Sequence, residues 1–145
     1  FKDWSAQTFK VSGKQVCSLW SAPQAAEGKY TRRGDIFVWV THRPADKALN
    51  RVSFEMGYPF KPSAKLKVRI DEENFTLLTD GSTAFNIEAR ADERMVKAMR
   101  AAKEMKVSGV SRRGTETRDV YSLFGFTATL ACGRSRHDWV ASDFG

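Results

Sequence analysis

The chain has 145 residues and a formal net charge of +7, with 41% hydrophobic, 28% charged and 12% aromatic residues. A chain of this length forms one ordinary domain and can bury a real hydrophobic core. The composition excludes a disordered, collagen-like or coiled-coil protein. No apolar run approaches the roughly 20 residues that span a bilayer, so no transmembrane segment is predicted.

Most of the sequence alternates apolar and polar residues, which is the two-residue period of β-strands. Residues 35–43 are apolar on both faces, as is typical of a central strand covered on both sides. Residues 51–57 and 65–70 alternate cleanly, with one apolar and one polar face. The other predicted strands are 4–9, 15–22, 75–79, 84–87, 105–111 and 119–126. We expect about eight strands in total.

One stretch has helical rather than strand periodicity. Met95, Val96 and Met99 recur at the spacing of one helix face, and Asp92 is suited to the N-cap. We therefore predict one short α-helix at about 92–103, and a brief helical turn at 128–131. Short strands with one helix and frequent turns indicate a mainly β domain, either a sandwich or a barrel.

The two cysteines, Cys17 and Cys132, lie near opposite ends of the regular part of the chain. A disulfide between them would add about 4–5 kcal/mol at most by the chain-entropy model. The alternative is a pair of inert buried thiols, because free cysteine is among the most buried residue types. A zinc site that adds His42 and His137 is disfavoured, because no close ligand spacing is present.

The first residue is Phe1 rather than Met. Either a cleaved secretory signal or a truncated chain would explain this start. Secretion would place the protein in an oxidising compartment, where the disulfide is the favoured state of the two cysteines.

No catalytic motif stands out in the sequence. GxSxG, HExxH and P-loop patterns are all absent. His42 and Asp46 would form a useful acid–base pair only beside a positioned nucleophile, which the sequence does not identify. A strand end entering a turn explains His42 more simply. We therefore predict no catalytic residue, no metal and no cofactor.

The tripeptide Arg33-Gly34-Asp35 matches the short motif of integrin-binding loops. Adhesion would require display on an exposed hairpin tip. Asp35 is instead expected to run directly into a strand, and Gly-Asp before a strand is ordinary turn chemistry. This argues against an adhesion motif.

The positive charges fall in clusters along the chain. The candidate binding surface consists of Lys65, Lys67, Arg69, Arg112 and Arg113. A basic domain attracts anionic lipid headgroups or polysaccharide, although a solvated face that maintains solubility is the simpler alternative. Nucleic-acid binding is not predicted, because the aromatic side chains fall mostly at inward strand positions and cannot stack on bases.

Several short motifs follow one another along the chain. They are FKDW at 1–4, VCSL at 16–19, RGDIFVWVTHRP at 33–44, GYPF at 57–60, SRRGT at 111–115, YSLFGFTA at 121–128 and ACG at 131–133. Each motif is short, but their combination and order resemble the invasion-associated locus B (IalB) family of secreted bacterial proteins. The resemblance extends over nearly all of residues 1–133.

The resemblance implies an immunoglobulin-like β-sandwich, export with a cleaved signal peptide, and a periplasmic or cell-surface location. In pathogenic relatives it also implies a link to host-cell invasion, and it implies no enzymatic activity. We therefore expect a single domain at 1–133, a tail at 134–145, and an envelope or host-surface protein or glycan as partner. The alternative is a periplasmic module that binds a small molecule or anion through the basic face. The oligomeric state is left open, because long strands permit edge pairing.

Overall fold

The computed structural model describes residues 2–28 and 33–130. Its strands are β1 (Ser5–Val11), β2 (Lys14–Ser21), β3 (Ala25–Glu27), β4 (Phe37–Arg43), β5 (Ala48–Glu55), β6 (Leu66–Ile70), β7 (Glu73–Asp80), β8 (Thr83–Phe85), β9 (Glu104–Val110) and β10 (Glu116–Ser122). The helices are α1 (Ala89–Ala101) and α2 (Phe126–Thr129), and a 3-10 turn occupies Pro44–Asp46. No helix in these ranges is long and apolar enough to cross a membrane.

The strands follow the antiparallel order β1-β2-β4-β5-β8-β7-β6-β9-β10-β3. The long strand β7 joins the two halves of this order. Its residues from Glu73 to Leu77 pair with β6, whereas Leu78 to Asp80 pair with β8. The sheet therefore folds over at β7 and forms two facing layers. This confirms the predicted mainly β sandwich, with ten strands where about eight were expected.

The hydrophobic core lies between the two layers. The inward side chains of β4 and β5 meet those of β6, β9 and β10, and most of them are completely buried. Phe54 and Tyr121 contact each other edge to face across this space, with ring centroids 6.1 Å apart. Such aromatic pairs add about 0.5–1.5 kcal/mol beyond the burial of their surface.

The start of the chain closes one end of the sandwich. Trp4 Nε1 donates a hydrogen bond to the carbonyl oxygen of Ser122 at 2.8 Å, and the Asp3 amide donates to Phe124 at 3.1 Å. The Trp4 ring also packs edge to face on Phe126 at 4.8 Å. The residues just before β1 are thus joined directly to the end of β10 and to the residues that follow it.

Helix α1 begins earlier than the sequence pattern predicted. Glu88 occupies the N-cap position, so the prediction of Asp92 as the N-cap is wrong. Asp92 lies in the first turn instead and is completely buried. Its Oδ1 accepts hydrogen bonds from the Val52 amide at 3.2 Å and from Asn86 Nδ2 at 3.0 Å. The acidic residue therefore links the helix to β5 rather than capping the helix.

Two other elements differ from the expectation. The predicted helical turn at 128–131 is present as α2, but α2 begins two residues earlier, at Phe126, and ends at Thr129. Strand β3 was not predicted at all, because Ala-Ala-Glu contains none of the β-branched or aromatic residues that mark strands. The predicted domain boundary at 133 and the tail at 134–145 lie outside the described residues, and both stay predictions.

Candidate functional site: a basic face on β6, β9 and β10

Three neighbouring strands turn a shared positive face to solvent. Alternation along β6 exposes Lys67 and Arg69, while the residues between and beside them enter the core. Alternation along β9 exposes Glu104, Lys106 and Ser108 in the same way. Arg118 is exposed on β10. We call Lys67, Arg69, Lys106 and Arg118 the basic face.

The strand register fixes how these side chains are arranged. Arg69 lies directly opposite Lys106. Ser108 lies opposite Lys67 on one side and opposite Arg118 on the other. Because adjacent strands are about 4.8 Å apart, the backbones at Lys67 and Arg118 are separated by about 10 Å. The two rows are two residues apart along the strands, or about 7 Å.

The facing pair of Arg69 and Lys106 is electrostatically unfavourable. Like charges directly opposite each other destabilise an antiparallel pair. Arg69 Nε donates a hydrogen bond to the Asp71 carbonyl oxygen at 3.0 Å, which is a dipole rather than a carboxylate. Lys106 Nζ lies 3.9 Å from Glu104 Oε1, and both of these side chains are more than half exposed. An exposed pair of this kind contributes at most about 1 kcal/mol.

A broad depression covers the basic face. Its volume is about 1030 Å³, and all four cations line it. A second depression of about 520 Å³ shares Glu27 and Arg118 with the first and extends to the turn at Gly114. Two exposed carboxylates, Glu27 on the edge strand β3 and Asp71 in the β6–β7 turn, mark the margins of the larger depression.

A third carboxylate in the depression wall, Asp119, has its charge compensated by Arg33. It is completely buried and accepts both guanidinium hydrogen bonds of Arg33 at 2.7 Å. Arg33 Nε donates to the Met56 carbonyl oxygen at 2.9 Å, and its guanidinium lies 4.9 Å from the Tyr58 ring centroid. A bidentate, charge-assisted pair of this kind is strong and geometrically specific.

The ion pair of Arg33 with Asp119 also bears on whether the Arg33-Gly34-Asp35 tripeptide can act as an adhesion motif. The Arg33 side chain is only 11% exposed. It is committed to Asp119 and cannot be presented to a receptor in this arrangement. The expectation that Asp35 enters a strand directly is wrong, because Gly34 and Asp35 are exposed and β4 begins only at Phe37. The buried pairing of Arg33 is the observation that argues against an adhesion motif.

Comparison with known proteins identifies the family to which the chain belongs. The sequence model of the family described as "Invasion associated locus B (IalB) protein" matches residues 4–132. This chain belongs to the IalB family. The fold is similar to the crystal structure of invasion associated protein b from Bartonella henselae, with a TM-score of 0.58. That likeness covers 88% of each chain at 19% identity, so it supports the fold alone. No curated protein matches the chain.

The structure of this IalB-family chain separates the predicted surface residues. Lys67 and Arg69 line the larger depression. Lys65 is exposed just before β6, and Arg112 and Arg113 are exposed in the turn between β9 and β10. None of these three is among the residues that line the larger depression.

Two cations of the basic face, Lys106 and Arg118, were not among the binding residues predicted from the sequence. Lys106 stands at an outward position of a predicted strand, whereas Arg118 lies just before the predicted strand at 119–126 and enters β10 only because that strand begins at Glu116. What the sequence does not give is that β9 lies between β6 and β10. Only this order places Lys106 beside Arg69.

His42 is a buried strand residue in this IalB-family fold. It is completely inaccessible on β4, and its Nδ1 accepts a hydrogen bond from the Asn50 amide at 3.0 Å. Burial lowers the pKa of His42 to about 4, so the ring is neutral at pH 7. Asp46 lies at the surface, where it pairs with Lys14 at 3.0 Å.

Of the two cysteines, the structure describes Cys17 but not Cys132. Cys17 is buried on β2, directly opposite His42 on β4. Cys132 and His137 lie outside the described residues, so the disulfide with Cys132 stays a prediction. Within 2–28 and 33–130, no group of three or more His, Cys, Asp or Glu side chains is placed to hold a metal ion.

Proposed function

We propose that this IalB-family chain is an exported, non-enzymatic binding protein of the bacterial envelope or surface, and that its basic face binds an anionic ligand. The observation that carries this proposal is the facing pair of Arg69 and Lys106 on a concave part of the sheet. A bound anion would remove the repulsion between them and would form charge-assisted hydrogen bonds to both.

Export to the periplasm or cell surface, after cleavage of a signal peptide, is supported by two features. The family is described as invasion associated, and a protein with two widely spaced cysteines suits an oxidising compartment. Host-cell interaction is the role that the family description favours.

The test of export is the state of the cysteines. Protein purified from whole cells is denatured in guanidinium chloride, so that buried thiols become accessible, and treated with iodoacetamide. We expect no labelling without a reductant and two labelled cysteines after reduction. Labelling of both cysteines without reduction would contradict the oxidised, exported state.

A binding role rather than catalysis is supported by the state of His42. One ring nitrogen already accepts a hydrogen bond from the Asn50 amide, and the low pKa makes the ring a poor base at neutral pH. No substrate can reach a side chain that is completely buried in the resting structure.

Thermal melting tests the basic face itself. A ligand at one hundred times its Kd stabilises the native state by about 2.7 kcal/mol. We expect sulfate, phosphate or a sulfated glycan to raise the Tm of the native chain. The double variant Arg69→Thr with Lys106→Thr should abolish this shift, and threonine retains a high strand propensity.

The matched control removes two charges from the other half of the sheet. Lys10 on β1 and Arg43 at the end of β4 are both exposed, so K10T/R43T lowers the net charge equally. The control should keep the full Tm shift. Equal losses in both double variants, or no shift with any anion, would refute the proposed site.

A further inference from the structure

We infer that the basic face accommodates a sulfated oligosaccharide, which it binds through two subsites rather than one. The first subsite is Arg69 with Lys106, and the second is Lys67 with Arg118 on either side of Ser108. This inference rests on the proposed function and specifies the ligand of the same site.

The spacing of the cations requires more than one anionic group. An anion bound between Arg69 and Lys106 neutralises one row of the face. The other row, about 7 Å away along the strands, would keep its charges. A ligand with sulfate groups repeating about 7–10 Å apart meets both rows at once, and a second linked contact raises affinity by about 10²–10⁴.

Neutral polar groups lie between and beside the cations. Ser108 separates Lys67 from Arg118, and Thr76 lies opposite Lys67 on the other side. Asn74 lies opposite Arg69. Hydroxyl and amide side chains can both donate and accept hydrogen bonds, as a sugar ring with several hydroxyl groups requires.

The margins of the site limit where the ligand lies. Glu27 faces Arg118 across the β10–β3 pair, and Asp71 follows β6 beyond Arg69. Both carboxylates are exposed and repel an anion that extends past them. Glu104 beside Lys106 and Glu116 near Arg118 are also exposed on this face, so binding of sulfate groups is favoured only where they lie over the four cations.

Nucleic acid and membrane fit this surface less well. Phe75 is the sole aromatic residue among those lining the larger depression, and it is 5% exposed. It offers no platform on which a base could stack. The four cations line a depression, so a flat lipid surface would contact their side chains but not the polar residues of the floor between them. A narrow polysaccharide chain can enter it.

Isothermal titration with defined probes tests the inference. The probes are sodium sulfate, a heparin tetrasaccharide, a single-stranded oligonucleotide of equal charge, and vesicles containing phosphatidylglycerol. We expect the tetrasaccharide to bind at least tenfold more tightly than sulfate and than the other two probes. K67T/R118T should weaken tetrasaccharide binding at least tenfold while changing sulfate binding less than threefold.

The possible failures are distinguishable. A tetrasaccharide that binds no more tightly than sulfate overturns the two-subsite inference but leaves anion binding intact. Tighter binding of the oligonucleotide or vesicles overturns the sugar assignment. No binding of any probe overturns the proposed function as well. Melting without ligand verifies folding, and we expect R69T/K106T to melt at or above the native Tm because a repulsion is removed.

Discussion

Asp119 is the buried carboxylate that depends most on a single partner. Replacing Arg33 with methionine would leave this charge without compensation in the core, while preserving most of the side-chain volume. Breaking a buried pair in this way costs about 3–5 kcal/mol. We expect a loss of that size in the free energy of unfolding of Arg33→Met, measured by urea denaturation.

The exposed pair of Lys14 and Asp46 provides the control for this measurement. Its side chains are 57% and 46% exposed, and its nitrogen–oxygen distance is 3.0 Å. Lys14→Met should cost less than about 1 kcal/mol, since exposed pairs contribute little. Similar losses in both variants would show that burial does not set the energy of the Arg33 pair.

The buried ring of His42 predicts a specific pH dependence. Its pKa is about 4 in the folded chain, compared with 6.5 in the unfolded chain. The unfolded state therefore binds the extra proton first as the pH falls. The free energy of unfolding should be highest above pH 6.5 and decrease towards pH 4, by at most about 3 kcal/mol from this residue.

Urea denaturation between pH 7.5 and 4.5 measures this decrease. His42→Gln removes the titrating group and should flatten the dependence in that range. Both proteins retain His137, so the difference between them isolates His42. An unchanged slope in the variant would contradict the assignment of the pH dependence to His42.

At the level of elements, the packing of α1 against β5 relies on Asp92. Asp92→Ala would remove the carboxylate oxygen that accepts from the Val52 amide and from Asn86 Nδ2, which would keep only Met95 Sδ as an acceptor. It would also break the partly exposed ion pair with Arg51. An unsatisfied buried donor costs about 1–3 kcal/mol. We expect a loss in this range, with faster amide hydrogen exchange in α1. Asp92→Asn retains an acceptor oxygen and should lose less, whereas equal losses would exclude the hydrogen bonds as the cause.

The limits of sequence prediction are visible in these same elements. Alternation on β6 correctly placed Leu66, Val68 and Ile70 in the core and Lys67 and Arg69 outside. Such alternation depends only on local geometry. The pairing of β6 with β9 depends on the whole fold, and so the facing of Arg69 and Lys106 was not predictable.

The role of Asp92 escaped prediction for a related reason. Its position before a helical stripe is the pattern of an N-cap, and this pattern is local. The Val52 amide that it binds is 40 residues away in the sequence. A buried carboxylate that accepts a hydrogen bond from a distant backbone amide produces no periodic pattern in the sequence.

For the whole molecule, the predicted disulfide has a measurable effect on stability. Reduction should lower the free energy of unfolding by up to about 4–5 kcal/mol, because the unfolded chain gains freedom. Denaturation with and without dithiothreitol measures this difference. The double variant Cys17→Ala with Cys132→Ala should not respond to the reductant. A native chain that is equally insensitive would exclude the bond.

The joining of the first residues to the end of β10 also affects when the protein can fold. Trp4 bonds to Ser122, 118 residues later, and β3 pairs only with β10 among the described strands. A ribosome must therefore have synthesised β10 before these early segments find their partners. These contacts therefore form late, whereas β1, β2, β4 and β5 pair with one another and can do so before β10 has been made.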